Sequence, residues 1–276
     1  MKESKSVWKS AYDNIPTTEQ SLDLDKQSPE NLIDWLKMEQ LRPYLPKEGI
    51  IVEVGAGSGR LLTRIGIENK TNYQLIGLDY FSGSTKLIKE NILKFSLNGT
   101  SICADAFHLP LRSNSVNAVV SGGLLEHFNK EEIEYIILEM TRILKPDGLF
   151  YADIVPEMSS LCRPVILTKH GGYENTFTKE QWNTILNRNG LTETKIFSGL
   201  VIPPNFYGWY RSGLRLKLMY KFKSIIKRLD NTVWANMLGF TYYAFARKSR
   251  DLLLSSGMKK TTERTEDIEN YSKSMI

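Results

Sequence analysis

Five short apolar runs punctuate the first 155 residues, and stretches with helical spacing separate most of them. Ile50–Val54, Tyr73–Leu78, Thr100–Ala104, Val116–Ser121 and Leu149–Val155 are nearly continuous in apolar residues, the pattern of strands buried on both faces. Residues 58–68, 84–95 and 130–144 carry helical spacing between them. Upstream, Ser28-Pro29-Glu30 reads as an N-cap with proline at the first helical position. That helix runs to about Leu41, with Leu32, Trp35, Leu36 and Met38 on its apolar side. Lys145-Pro146-Asp147-Gly148 fits a type I turn ahead of the fifth strand. Beyond Val155 the alternation loosens. A helix over 178–189 opens on Thr178 and closes before Gly190, and strands are predicted at 192–197 and 240–246. The pattern predicts an α/β, doubly wound, mostly parallel sheet. It divides the chain into an N-terminal lid and helix (1–45), a core (46–200), a basic insertion (201–238), a final core strand (239–250) and a disordered polar tail (251–276).

Composition adds bounds to this picture. With 41% hydrophobic and 24% charged residues in 276, the chain is of ordinary globular make-up. No apolar stretch approaches the ~20 residues of a membrane-spanning helix. The segment MKESKSVWKSAYDN lacks the apolar centre of a secretory leader. Only two cysteines are present, Cys103 and Cys162, so a disulfide framework is not expected. A cytoplasmic protein is expected, with no metal site, because three scattered histidines and two cysteines give no ligand spacing. The net charge of +5 is uneven: residues 205–250 hold ten Lys/Arg against one acid, Asp230, so the remainder is acidic.

The most telling local pattern closes the first strand: Glu53-Val54-Gly55-Ala56-Gly57-Ser58-Gly59-Arg60. A buried strand, a glycine turn and a helix N-terminus suit a nucleotide-type ligand. Glycines let a ligand touch the backbone, and the helix end favours a carboxylate. Glu53 could meet an ammonium directly or through water. A dinucleotide fingerprint wants its third glycine three residues after the second, which is Arg60 here; the glycine falls at 59. Asp79 ends the second strand, and its two acceptor oxygens match two ribose hydroxyls. Ile102-Cys103-Ala104-Asp105-Ala106 ends the third, followed at a fixed spacing by Leu109-Pro110. Ser121-Gly122-Gly123-Leu124-Leu125-Glu126-His127 closes the fourth.

These motifs, in this order, resemble class I S-adenosylmethionine-dependent methyltransferases, strongly over about 48–155 and in outline over 156–250. The resemblance is greatest to the broad small-molecule and lipid-quinone branch. It implies a Rossmann-like sheet of seven strands with the last antiparallel, plus a helical cap. It places the cofactor on Glu53, Gly55, Ala56, Gly57, Gly59, Asp79, Tyr80, Asp105, Ala106, Ser121 and Gly122, with Asp105 on the adenine amine and Phe107 as an apolar wall. Leu144-Lys145-Pro146-Asp147-Gly148-Leu149 also matches. Where the family usually has an aspartate in the fourth strand, this chain has Asn117, a change expected to touch local structure. The implied reaction is in-line methyl transfer to an oxygen or carbon of a small-molecule or lipid-like acceptor. His127 is the leading candidate base, with packing at the start of the next helix as the alternative. His170, on a glycine-rich loop, is the second candidate, and Trp8 and Tyr12 are candidate lid residues.

The insertion allows two readings. On a helical wheel Leu214, Leu218, Met219, Phe222, Ile225, Ile226 and Leu229 share one side of 211–229, opposite Lys217, Lys221, Lys223, Lys227 and Arg228. In one, this helix covers the substrate pocket with its apolar side on the sheet; in the other, residues 205–229 form a peripheral membrane contact, anchored by Phe206, Tyr207, Trp209 and Tyr210. The two are compatible if the acceptor is a lipid, a quinone precursor or a lipid-linked sugar. The packed reading is favoured. No nucleic-acid module is recognisable. The rival functions are a non-catalytic S-adenosylmethionine-binding adaptor at the membrane and a nicotinamide-dependent oxidoreductase, which the glycine register disfavours.

Overall fold

The computed structural model describes residues 22–24, 26–156, 174–201 and 213–250. Its first helix, α1 (Pro29–Leu41), is capped as the sequence suggests: the Ser28 hydroxyl accepts from the Asn31 amide at 3.1 Å, and Pro29 stands at the first helical position. Five strands and three helices follow: β1 (Gly49–Val54), α2 (Arg60–Glu68), β2 (Tyr73–Asp79), α3 (Ser82–Lys94), β3 (Gly99–Cys103), β4 (Val116–Gly122), α4 (Lys130–Ile143) and β5 (Leu144–Ile154). Capping boxes start α4 at Asn129/Glu132 and α5 (Lys179–Arg188) at Thr178/Gln181. The chain then runs through β6 (Leu191–Val201), α6 (Gly213–Leu229), α7 (Val233–Leu238) and β7 (Gly239–Lys248). Segment 1–21, half of the expected lid, and the tail 251–276 lie outside the described residues.

All seven strands form one sheet in the order β3-β2-β1-β4-β5-β7-β6. Neighbours are parallel except β7, which is antiparallel to both β5 and β6. This is the expected Rossmann-like architecture. The predicted turn at Lys145–Gly148 is not a break before β5 but an irregularity within it. Val116 pairs with Leu144 and Ala118 with Leu149, so the intervening residues bulge out, and Asp147 takes φ 60° to do so. Asn117 sits beside this bulge. Its Oδ1 accepts from the Ile50 amide at 3.1 Å and from Lys145 Nζ at 3.0 Å, so its role is local structure, as expected.

Strand alternation sorts the core into two layers. Val52, Val54, Val119 and Phe150 face α4 and α5, packing on Ile133, Ile136, Ile137, Trp182 and Leu186. Ile51, Leu75, Val120 and Tyr151 face α1, α2 and α3, packing on Leu32, Leu36, Leu62, Ile65 and Ile88. Because side chains two apart share a face, Glu53 follows Ile51 and Asp153 follows Tyr151 onto the α1 side. Both acids therefore arrive beneath the same helix, at the carboxyl edge of the sheet.

The basic insertion is helical, as expected over 213–229, but its orientation differs from the favoured reading. Met219 is buried and Ile226 half-buried, while Leu214, Leu218, Phe222 and Ile225 are exposed. The inward side is formed instead by Met219, Tyr220, Lys223 and Lys227. The Tyr220 hydroxyl donates to the Ser28 carbonyl at 2.9 Å, Lys223 Nζ lies 4.2 Å from the Trp35 ring centre, and Lys227 pairs with Glu39 at 2.7 Å. The helix packs on both α1 and the β6 edge of the sheet, through Met219, Tyr220 and Ile226, so only part of its apolar arc is covered.

Candidate active site

Strand β1 runs into the glycine loop, and Gly55, Gly57 and Gly59 all have positive φ, 68°, 54° and 71°. L side chains rarely adopt this backbone, so glycine is required there by conformation. Gly59 has a second reason: a Cβ would stand 3.0 Å from Ile88 of α3. The Gly57 amide donates to Asp79 Oδ2 at 2.8 Å and the Phe81 amide to Oδ1 at 2.9 Å. Loop, strand end and following turn thus close around one carboxylate. Burial nevertheless raises the pKa of Asp79 above the usual carboxylate range, outweighing those donors.

The loop opens onto a cavity of about 400 Å³ at the carboxyl ends of the strands. It is lined by Glu53, Gly55, Ala56, Gly57, Asp79, Tyr80, Asp105, Ala106, Gly122 and His127 from the sequence-based set. Its size lies in the range typical of small-ligand sites. Gly59 stands just behind, at the N-cap of α2. On the far side Asp105 Oδ1 accepts from the Phe107 amide at 3.1 Å, holding the Ala104–Phe107 turn. Phe107 meets Phe128 edge-to-face at 5.6 Å, which makes an apolar wall.

Ser121 is not among the residues that line the recess. It is buried behind the wall, and its hydroxyl donates to the Val54 carbonyl at 3.0 Å, so it ties β4 to β1. The side-chain alternation explains this: Gly122, not Ser121, faces the α1 side with Val120. A Cβ on Gly122 would stand 2.9 Å from Asp153 Oδ2, so glycine there keeps the cavity floor open. His127 ends a short 3₁₀ turn, Leu125–His127, and lines the cavity half-buried. The Asn175 side-chain amide donates to the Leu125 carbonyl at 3.0 Å and its backbone amide to that of Glu126 at 2.7 Å, which fixes this turn. His170, Trp8 and Tyr12 lie outside the described residues.

Sequence reading missed the polar roof. Asp34 and Lys37 of α1, Arg60 of α2 and Asp153 of β5 also line the cavity. Lys37 Nζ donates to Asp153 Oδ1 at 2.6 Å. Arg60 bonds Asp34 at 2.6 Å and Asn31 Oδ1 at 3.0 Å, clasping α1 to the start of α2. Asp153 had a usable signal, since it ends a strand on the ligand edge; Lys37 had none, because its partner is 116 residues away.

Charge is unevenly satisfied here. Burial alone would lower the Lys37 pKa, but Asp153, with Asp34 and Glu126 further off, more than offsets it and keeps the ammonium charged. Glu53 is only 3% exposed, and its Oε2 accepts from the Leu62 amide at 3.0 Å. Burial pushes its pKa up to about 8, and Asp153 and Asp79 add to the rise while the Leu62 amide and Lys37 oppose it. Glu126 is likewise pushed up to about 8, mainly by burial, with Asp153 and Glu174 nearby.

A seven-stranded sheet of this order, with glycine loop and strand-end acids on one recess, is the Rossmann-like methyltransferase fold. Residues 52–152 match the family model described as a methyltransferase domain, a class whose methyl donor is S-adenosylmethionine. Over 151 residues, 53% of the chain, the sequence is 30% identical to phosphoethanolamine N-methyltransferase 1 of Triticum aestivum and spans 29% of that protein. Over 115 residues, 41% of the chain, it is 30% identical to the tRNA (carboxymethyluridine(34)-5-O)-methyltransferase ALKBH8 of Mus musculus, spanning 16% of it. The chain therefore spans less than a third of either relative. Among solved structures, it is similar to a SAM-dependent methyltransferase from Thermotoga maritima, with TM-score 0.57 and 18% identity, covering 79% of this chain and 90% of that one. A second, from Archaeoglobus fulgidus, gives TM-score 0.56 at 15% identity, covering 79% and 93%.

The residues present suit this cofactor. Glu53 is a buried carboxyl whose neighbouring lysine is bonded to Asp153 instead, so a cationic ligand group would restore its ionised form. The glycine loop leaves backbone exposed beside it, and Asp79 and Asp105 offer acceptors along the same cavity.

Proposed function

We propose that this protein transfers a methyl group from S-adenosylmethionine to an oxygen or carbon of a small-molecule or lipid-like acceptor. One observation carries the reading: the glycine loop, Glu53, Asp79 and Asp105 line a single recess of about 400 Å³. Glu53 would hold the ammonium, Asp79 the ribose hydroxyls, and Asp105 with Ala106 and Phe107 the adenine. The bound group supplies a methyl already activated on a sulfonium.

The chain's own residues then do three things. The recess aligns the acceptor, which by itself removes several kcal/mol of the barrier. Phe107, Leu124 and Phe128 give the recess apolar walls that exclude water. His127 accepts the proton that the acceptor loses as its lone pair attacks carbon and the carbon–sulfur bond electrons return to sulfur. The Lys37–Asp153 pair borders the same space and would orient a polar acceptor. Asp34 and Lys37 of α1 line the recess beside the glycine loop, which supports a small or lipid-like acceptor over nucleic acid.

The test is incubation of the purified chain with methyl-labelled S-adenosylmethionine and separate pools of polar metabolites, lipids and RNA. Label in the metabolite or lipid pool is expected. Replacing His127 with Ala should lower turnover about 100-fold, within the usual range for a general base, while cofactor affinity stays within about twofold. Label in RNA alone would overturn the acceptor class. Cofactor binding without turnover on any pool would favour the adaptor reading.

A further inference from the structure

The exposed side of α6 is amphipathic in a way the fold does not use. Leu214, Leu218, Phe222 and Ile225 recur at helical spacing and are between 44% and 72% exposed. On the wheel, at 100° per residue, they occupy one arc. Lys217, Lys221 and Arg228 adjoin its edge and are exposed as well. No Asp or Glu occurs between Arg211 and Leu229. The opposite side of the helix is already engaged with α1 through Tyr220, Lys223 and Lys227. The stripe is therefore not a core face in waiting.

An apolar stripe edged by cations on a solvent face calls for a partner. A second copy of the same face would set lysine against lysine. A nucleic acid would leave the leucines and phenylalanine in water. An anionic lipid surface satisfies both halves, taking apolar side chains among its acyl chains and cations among its headgroups. We propose that the outer face of α6 docks this protein onto anionic membranes. Among the described residues no helix is long and apolar enough to cross a bilayer, so the contact is peripheral. Since α6 rests on α1, and α1 contributes Asp34 and Lys37 to the recess, docking sets the roof of the recess next to the membrane. The inference stands on α6 alone and does not depend on the methyl-transfer reading.

The test is sedimentation of the full chain with vesicles of phosphatidylcholine alone and with added phosphatidylglycerol. Binding is expected only with the anionic lipid, and it should weaken as salt rises. Lys217→Gln/Lys221→Gln should lower the partition coefficient about 25-fold, taking about fivefold for each surface cation. Leu218→Ser/Phe222→Ser should lower it by at least about tenfold. All four residues are exposed, so unfolding temperatures and cofactor affinity should stay at wild-type values, which separates lost docking from lost folding. No binding to the anionic vesicles, or equal binding by wild type and both variants, would overturn the proposal. So would a dimer that Leu218→Ser/Phe222→Ser abolishes in a chain that ignores vesicles.

Discussion

Glu53 and Lys37 are two ionisable groups of the recess with opposite situations. Lys37 has Asp153 at 2.6 Å; Glu53 accepts from the Leu62 amide and has a pKa pushed up to about 8. The unfolded chain ionises such a carboxyl near pH 4.5, so the folded state binds the extra proton between there and about 8. Glu53 and Glu126 thus favour folding fully at low pH, and that contribution is lost as pH rises through this window. Thermal melts of the ligand-free protein should show falling stability from about pH 5 to 8, with a shallower slope in Glu53→Gln. If the slopes match, Glu53 is ionised already. At pH 7 the binding of S-adenosylmethionine should release close to one proton, read from calorimetry in buffers of different ionisation heat, and Glu53→Gln should release almost none. Lys37→Met should cost about 3 kcal/mol in urea unfolding, because it strands Asp153 without its counter-ion. Adding Asp153→Asn should recover part of that loss. Ser121→Ala should leave cofactor affinity intact and cost about 1 kcal/mol of stability, the worth of one hydrogen bond to Val54. A large loss of affinity would return Ser121 to the site.

At the scale of elements, the strands were legible because each is a largely apolar run that closes at or near a residue lining the recess: Glu53, Asp79, Asp105, Gly122. Side-chain period and strand-end position together place those residues without any knowledge of contacts. Lys37 was not legible, since a lone lysine on a capped helix gains meaning only from a partner 116 residues away. The facing of α6 was not legible either. A wheel shows that an apolar arc exists, but Tyr220, Lys223 and Lys227 grip α1 through a hydroxyl, a cation–π contact and an ion pair, none of which a hydrophobic pattern scores. The Arg60–Asp34 clasp is one of the contacts that hold α1 over the recess. Asp34→Ala should speed cofactor release several-fold in stopped-flow traces and change global stability by no more than about 1 kcal/mol, since the pair is partly solvated. An unchanged release rate would mean that α1 does not gate the recess.

For the molecule as a whole, the sheet order brings four remote segments to one edge: the loop after β1, the end of β2, the end of β3, and the end of β5 under α1. The account rests on that edge being a place for S-adenosylmethionine. Calorimetric titration of S-adenosylmethionine into wild type and Gly57→Asp tests it most directly. Gly57 has φ 54° and gives its amide to Asp79, so an aspartate there is strained, sets a carboxylate beside a carboxylate and fills ligand space. One ligand per wild-type chain, and no measurable binding to a folded Gly57→Asp variant, is the expected result. No heat from wild type, or the same affinity in both, would contradict the account.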